Sequence, residues 1–400
     1  MKAFLTFLLV FTGALCLPID NSVPNSNTTL SKRYFSVPPR PANPETAPKI
    51  GYPWPPNSDG RQSIRYCFRD QKSFRNLGRL FMGPVIQKWQ TALAPHSALA
   101  IVPDPRCVTT PGGPPDRFAD EVASDGNLFD ALVISDITQA GNGQRSEGAS
   151  VASSIITDSG NSRKVNPDIP VPGSGSVSTV GYDPCRGDEI DEYPNTMKIK
   201  NSVWDTEYEK AILMRSMVHE LGHVIGLEHE HQRPDRDHYI RVDFKNLEGW
   251  REAYEEVKEA TAKEEPTFAG KSPEQRMVLL TSDFGLAEEF DFEEAGDFIR
   301  APRFGNEEMA SYQASRTYDY DSIMHYGSYA SAVAGDTGEL KDAVMTRRDQ
   351  TGARAEIFQG GNEDARLAGP SPMDVARVKQ LYPLNQGQAS GSGSQSGRSA

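Results

Sequence analysis

The sequence has few cysteines, no excess of basic residues, and no long apolar run beyond its N-terminus. Its 42 Lys and Arg residues are outnumbered by 55 Asp and Glu residues, so the formal net charge is −13. That charge disfavours nucleic acid and anionic membranes as partners, because both attract basic proteins. The chain has 400 residues, of which 37% are hydrophobic and 24% charged, a composition typical of a soluble globular protein with one large domain or two smaller ones.

The N-terminal segment 1–16 has the three parts of a secretory signal peptide. Lys2 provides the positive charge, residues 3–15 form the apolar stretch, and the small residue Ala14 lies near a cleavage point after Cys16. The alternative is a membrane anchor, but a membrane span needs about 20 apolar residues. The segment therefore predicts a secreted, extracellular protein.

The segments that flank the expected folded region are rich in Pro, Asn, Ser or Gly. Residues 17–33 end at a dibasic Lys-Arg pair, which indicates a pro-segment that a processing protease removes; the alternative is a chance basic pair in a linker. Repeated prolines predict an extended spacer over residues 34–60. The Gly/Ser-rich residues 385–400 predict a flexible tail. The folded domain is then expected over residues 61–384.

Loss of Cys16 with the signal peptide would leave Cys67, Cys107 and Cys185. In the oxidising environment of an exported protein, these cysteines predict one disulfide and one remaining thiol. All three pairings are possible. The pair Cys107–Cys185 is favoured, because both residues lie in Pro/Gly-rich loops.

Apolar patterning predicts both strands and helices. Strands are expected over residues 64–68, 98–102, 131–134, 151–156 and 177–182. Helices are expected over residues 74–93 with a kink at Gly83-Pro84, over residues 207–225, and from Ser371, where Ser and Pro suit the first helical positions. Strands that alternate with helices indicate a mixed α/β (α+β) fold built on a mixed sheet.

The run 219–237 contains three histidines at metal-ligand spacing. His219 and His223 are four residues apart, so on a helix they lie one turn apart on the same face. Gly226 is expected to end the helix, and His229 follows three residues later. Three protein ligands leave a position open on a zinc ion, which is typical of catalytic sites, whereas structural sites are closed by four ligands.

Glu220 lies beside the first of these histidines, where its carboxylate can accept a proton from a metal-bound water. The alternative interpretation is a chance cluster on a solvated helix face. The helix is otherwise apolar, and five of the seven histidines of the chain fall within residues 219–238. Polar groups without partners would be costly in such a place, so the clustering favours a metal site.

A second segment downstream completes a pattern known from one protein family. The spacing His-Glu-x-x-His-x-x-Gly-x-x-His is that of the metzincin metalloproteases, which also carry a Met-turn below the metal. Glu230 after the third histidine and the Ser-Ile-Met-His-Tyr run at residues 322–326 resemble the astacin family. The resemblance is strong over residues 203–247 and 318–330. It implies a twisted mixed sheet with an active-site helix and a Met-turn subdomain.

The resemblance also implies an activity and its residues. His219, His223 and His229 match the family's ligands for one Zn²⁺ ion, and Glu220 matches its general base and acid. The expected function is a secreted zinc endopeptidase that hydrolyses protein or peptide substrates with a metal-activated water. The alternative is a secreted binding protein that keeps the zinc site without turnover, and the intact Glu220 argues against it.

Three further matches concern the surroundings of the metal. Tyr326 matches a tyrosine that binds zinc in the resting enzyme and then stabilises the oxyanion, and Met324 matches the Met-turn residue. By themselves, these two residues are equally compatible with an ordinary core tyrosine and methionine. Glu230 matches an acid that receives the mature N-terminus. Glu230 and Tyr326 together discriminate against most other metzincin families.

The chain also departs from the family pattern. Pro383 stands where the family has a cysteine after its final Leu-Tyr, so the disulfide framework differs. The stretch between the third histidine and the Met-turn is long, which places an acidic insertion at about residues 255–312, either a solvated decoration or a flap beside the cleft. The Phe-x-Gly-Asp element of latent relatives is missing. Residues 177–182 are the expected strand edge for an extended substrate.

Overall fold

The structure is a computed structural model of the chain. It describes residues 52–56, 62–94, 96–110, 113–123, 128, 130–138, 176–182, 193–200, 206–260, 265–300, 317–348, 354–358 and 368–384. The predicted signal peptide, pro-segment and tail lie outside the described residues, as do the 151–156 strand, Cys185 and most of the spacer. None of the helices in the described part of the chain combines the length and apolarity needed to cross a membrane.

A five-stranded mixed sheet forms one half of the fold, with strand order β2-β1-β3-β5-β4. Its strands are β1 (Ser63–Phe68), β2 (Ala100–Pro103), β3 (Leu132–Asp136), β4 (Val177–Ser178) and β5 (Thr196–Ile199). Pairing is parallel except for β4, which runs antiparallel to β5 at the edge. Three predicted strands are confirmed, whereas only two residues of the predicted 177–182 strand form a strand.

The predicted helix 74–93 forms with its kink. It comprises α1 (Gln71–Leu80) and α2 (Ile86–Leu93), joined by a π-helical turn, Phe81–Val85, that contains Pro84. Proline has no amide hydrogen to donate, so the hydrogen-bond ladder shifts locally. A short helix α3 (Ala119–Ala123) follows later in the chain.

The central helix α4 (Glu207–Ile225) has the bounds expected from the sequence. Thr206 and Glu209 form a reciprocal capping box at its start, and Gly226 ends it with a φ of 112°, which glycine adopts without steric cost. The Tyr382 hydroxyl donates to the carbonyl of Ile225 at 2.7 Å, which satisfies one of the last carbonyls of the helix. Both ends of the helix are thus fixed.

The C-terminal half of the chain contributes, within its described residues, four more helices, a second sheet and the C-terminal helix. The helices are α5 (Trp250–Glu259), α6 (Pro273–Leu280), α7 (Phe284–Glu289) and α8 (Glu293–Gly296). The antiparallel sheet is built from β6 (Ile240–Val242), β7 (Met345–Arg348) and β8 (Arg354–Glu356). Helix α9 (Pro372–Leu381) begins after Ser371, which is its N-cap as predicted.

The described part of the expected insertion packs into a second apolar core. Phe268, Phe292 and Phe298 are completely buried there, in one cluster with Tyr326 and Met345. Three fully buried phenylalanines contribute several kcal/mol, at about 1.5–3 kcal/mol each. Helices α5 to α8 are therefore part of the folded domain rather than a solvated decoration.

The preferred disulfide is wrong. The bond joins Cys67 and Cys107, whose Cα atoms are 5.8 Å apart. Cys67 lies in β1, and Cys107 follows β2, the parallel neighbour of β1. The two residues therefore meet at the same end of the sheet. The prediction of Cys107–Cys185 used loop composition alone, which does not show that β1 and β2 are neighbouring strands.

Candidate metal centre and active site

Three histidine side chains converge on one point at the C-terminal end of α4. The Nε2 atom of His229 lies 3.1 Å from that of His219 and 2.9 Å from that of His223. The three rings are almost completely buried. His219 and His223 come from consecutive turns of α4, and His229 follows the reversal of the chain at Gly226. The structure brings together the three residues that the sequence predicted as ligands.

The outward nitrogen of each ring faces an oxygen acceptor. His219 Nδ1 lies 2.7 Å from the carbonyl of Ile323, and His223 Nδ1 lies 2.8 Å from that of Leu227. His229 Nδ1 lies 3.1 Å from the side-chain oxygen of Gln232. These acceptors require a proton on each Nδ1, which leaves an unshared electron pair on each Nε2.

That arrangement fits a cation. Three electron pairs that face one another at these distances repel unless a positive charge lies among them. Burial lowers the pKa of His219 to about 4, so its ring is neutral at physiological pH, as a ligand must be. Three imidazole nitrogens match the donor preference of Zn²⁺.

The Glu220 side chain is buried and contacts the edge strand of the first sheet. Its Oε2 atom accepts a hydrogen bond of 2.7 Å from the hydroxyl of Ser178 in β4. The same hydroxyl lies 2.9 Å from the backbone carbonyl of Glu220. The edge strand that was expected to receive substrate thus also contacts the expected general base.

The Met-turn lies directly beneath the histidines. Met324 is completely buried, and its sulfur would lie 2.5 Å from a Cβ atom added to Gly222 of α4. A side chain at residue 222 would therefore force the Met324 side chain to move. The ring of Tyr326 lies against the ligands, with its centroid 4.6 Å from that of His229 and 6.0 Å from that of His219.

Glu230 is completely buried between two arginines. Its Oε1 atom accepts from Arg233 at 2.8 Å and from the backbone N–H of Asp319 at 3.0 Å, and its Oε2 atom accepts from Arg377. Burial would raise the pKa of Glu230, but the charges of Arg377 and Arg233 outweigh it and lower the pKa. The carboxylate is therefore ionised, and two arginines of the same domain compensate its charge. Its expected role as the acceptor of the mature N-terminus stays a prediction.

Two buried carboxyl groups brace the Met-turn from the other side. Asp374 of α9 accepts from the Ser322 hydroxyl at 2.7 Å and from the Ile323 N–H at 2.9 Å. Asp319 accepts from the Ser371 hydroxyl at 2.6 Å. Burial, together with the nearby charge of Asp374, raises the pKa of Asp319 to about 7. The C-terminal helix therefore fixes the turn that carries Met324.

Sequence reasoning missed three residues that contact the predicted site. Gln232 and His231 lie in a 3₁₀ turn just after the third histidine, and Ser178 lies in the edge strand. The position of Gln232 three residues after His229 was a usable signal, because that spacing allows contact across one turn. The partnership of Ser178 with Glu220 joins residues 42 positions apart, and no local pattern indicates it.

The domain has a mixed sheet, a helix that carries two histidines of a buried three-histidine centre, and a methionine turn below that centre. These features define a metzincin-type domain. The model of the Astacin peptidase family matches residues 209–269. Over this segment the chain is similar to the astacin family.

Known relatives match limited parts of the chain. Tolloid-like protein 2 of Mus musculus is 30% identical over 166 residues, which cover 42% of this chain and 11% of that protein. Zinc metalloproteinase nas-12 of Caenorhabditis elegans is 69% identical over 29 residues, 7% of this chain and 8% of that protein. The chain thus spans only about a tenth of the length of these relatives.

A solved structure of high choriolytic enzyme 1, a hatching enzyme zinc-protease from Oryzias latipes, aligns with 83% of this chain and 95% of that chain. The identity is 15% and the TM-score is 0.38. At that score, the family assignment depends on the sequence match and the motif.

Proposed function

We propose that this protein is a secreted zinc endopeptidase that hydrolyses peptide bonds in protein substrates. The observation that carries the proposal is the convergence of three Nε2 atoms, with every Nδ1 held by an acceptor. The match of residues 209–269 to the Astacin family model supports the proposal. Secretion rests on the signal-like segment 1–16.

His219, His223 and His229 would hold the zinc, and Tyr326 would join them in the resting enzyme. When bound, zinc supplies Lewis acidity, which polarises a carbonyl and lowers the pKa of water from 15.7 to about 7. Burial keeps His219 neutral, and the contacts at Nδ1 fix the direction of all three rings. The ligand set is thus oriented before zinc binds.

Glu220 is the proposed general base and acid. It would accept a proton from the attacking water and deliver it to the leaving amine. The Ser178 hydroxyl holds one oxygen of the carboxylate and thereby orients the whole group. Tyr326 would donate to the developing oxyanion, a contribution of about 2.7–4 kcal/mol for one donor in other hydrolases. Met324 packs below and touches no reacting group.

An extended peptide would bind along β4. This strand pairs with β5 on one side only, so its other side offers backbone groups to a substrate. Ser178 lies in this strand and contacts Glu220. A peptide bound there would therefore pass the proposed base.

Replacement of Glu220 by Gln tests the proposal. The amide keeps the size of the side chain and removes the basic oxygen, so cleavage of casein should fall by about 10²–10⁴-fold while zinc stays bound. Glu207→Gln is the matched control, because Glu207 is an exposed residue of the same helix. Its activity should equal that of the wild type.

Undiminished cleavage by the Glu220→Gln variant would refute the mechanism. A wild-type protein that binds zinc, has been processed at the dibasic pair, and still cleaves no peptide would instead support the alternative of a zinc-site binding protein. Zinc content is measured for every variant, so that loss of the metal is not mistaken for loss of the base.

A further inference from the structure

The helical segment Pro266–Ile299 touches the candidate metal centre through backbone carbonyls. The Nε2 atom of Gln232 donates to the carbonyl of Gly296 at 3.2 Å and to that of Asp297 at 2.9 Å. The Nε2 atom of His231 also donates to the Asp297 carbonyl, at 2.9 Å. One short stretch at the end of α8 thus receives three hydrogen bonds from the residues that follow the third ligand.

These carbonyls determine which way the Gln232 amide points. Two carbonyl oxygens can accept only from the NH₂ end of the amide, so its oxygen must face the Nδ1 atom of His229, 3.1 Å away. Gln232 therefore accepts the hydrogen bond from the His229 Nδ1–H only while the α8 end is in place. With Gln232 only 2% exposed, water is largely excluded from the amide.

His231 extends the same connection to the Met-turn. Its ring stacks on His229 at a centroid distance of 4.9 Å and lies tilted against Tyr326 at 4.3 Å. Because its Nε2 donates to the Asp297 carbonyl, its Nδ1 atom is the acceptor for the Tyr326 N–H, at 3.4 Å. The α8 end thus helps to place both the third ligand and the proposed oxyanion donor.

The α8 end is itself held firmly. Phe292, Phe298 and Ile299 are buried in the second core together with Tyr326. A close-packed core transmits displacement, because its side chains have no space to absorb it. The segment therefore provides a fixed point for the two side chains that it contacts.

We propose that Gln232 is a positioning residue that couples the third zinc ligand to the segment Pro266–Ile299. The segment then supports the metal centre, so zinc binding should make the segment more ordered, and an ordered segment should strengthen zinc binding. The inference rests on the proposed zinc site. It concerns zinc affinity and not peptide turnover.

The first test replaces Gln232 by Met, which keeps the length of the side chain and removes all three hydrogen bonds. Zinc affinity, measured in the full chain by competition with a chelator, should fall by about 10- to 100-fold, as is usual when a hydrogen-bond partner of a ligand is lost. Gln90→Met is the matched control. The Gln90 amide donates to the carbonyl of Ile101 at 3.1 Å, away from the metal centre. This control should stay within about twofold of the wild type.

The second test uses the wild-type protein, so it does not depend on the folding of a variant. Coupling is reciprocal, so zinc must stabilise the segment if the segment stabilises the ligand. Hydrogen exchange of the amides at residues 293–299 should slow when zinc is added, while exchange in α1 stays unchanged. In the Gln232→Met variant, the zinc-dependent slowing should be lost at zinc saturation.

Unchanged zinc affinity in the Gln232→Met variant would overturn the inference. So would exchange that slows at residues 219–229 but not at residues 293–299 when zinc binds to the wild type. A wild-type protein that shows the predicted coupling but cleaves no peptide would leave the inference standing and remove the proposed function.

Discussion

The buried ion pair between Glu230 and Arg377 gives the sharpest test of how the domain is held together. Both side chains have zero exposure, and Arg377 also lies 3.6 Å from Asp374. Replacement of Arg377 by Met removes the positive charge and keeps most of the side-chain volume. Glu230 would keep one cationic partner, Arg233. Asp374 would lose its ion pair with Arg377.

The expected loss of stability is large. Removal of one partner of a buried ion pair costs about 3–5 kcal/mol, because the remaining charge is left in a medium of low polarity. For a domain of roughly 320 residues, with about 2.1 cal/mol/K of unfolding entropy per residue, the midpoint of thermal unfolding should fall by about 4–7 °C. The double variant Glu230→Gln/Arg377→Met should be more stable than the sum of the two single changes predicts, by about 0.5–3 kcal/mol.

Urea unfolding followed by circular dichroism measures all three variants. The control is Arg251→Met, which breaks the exposed pair Arg251–Glu252 and should leave the midpoint almost unchanged. Additive single changes, or an Arg377→Met midpoint equal to that of the control, would refute the account of the buried pair. The test applies whether or not the N-terminus has been processed.

The other predictions concern the base, the pH response and the disulfide. Ser178→Ala should lower kcat by roughly tenfold with little change in KM, because the hydrogen bond to Glu220 orients the base, and Ser178→Thr should restore it; steady-state kinetics on a peptide decide. Because the pKa of Asp319 rises from 3.8 to about 7 on folding, its contribution to stability is fully present below pH 3.8 and is lost as the pH rises to 7, by up to about 1.4 kcal/mol per pH unit. Asp319→Asn should flatten that part of a denaturation-versus-pH curve, and an unchanged curve would contradict the assignment. The double change Cys67→Ser/Cys107→Ser should lower the free energy of unfolding by about 4 kcal/mol for a loop of 40 residues, whereas an unchanged urea midpoint would show that the bond adds no stability.

Local signals accounted for the best predictions. The bounds of α4 followed from residues at its ends, where Gly226 in the left-handed conformation stops the helix. The kink near Pro84 followed from the missing amide hydrogen. The N-cap at Ser371 followed from a hydroxyl that accepts from nearby backbone N–H groups. Each of these depends on residues within one or two turns of one another, so a sequence displays them directly.

Long-range packing accounted for the errors and omissions. Charge suggested a solvated insertion at about residues 255–312, yet its phenylalanines are buried in the second core. A helix can carry acidic residues on one face and apolar ones on the other, so net charge does not determine burial. The Cys67–Cys107 bond depended on β1 and β2 being neighbours, which composition does not indicate.

The sequence by itself determined the chemistry of the centre, because the spacing of His219, His223 and His229 and the type of each side chain are local properties. It also determined the helix that carries the first two. Only the tertiary structure decided how these rings are oriented. The acceptor for His219 comes from residue 323, and the amide that faces His229 is held by carbonyls at residues 296 and 297. Such partners are distant in the chain, and packing alone brings them together.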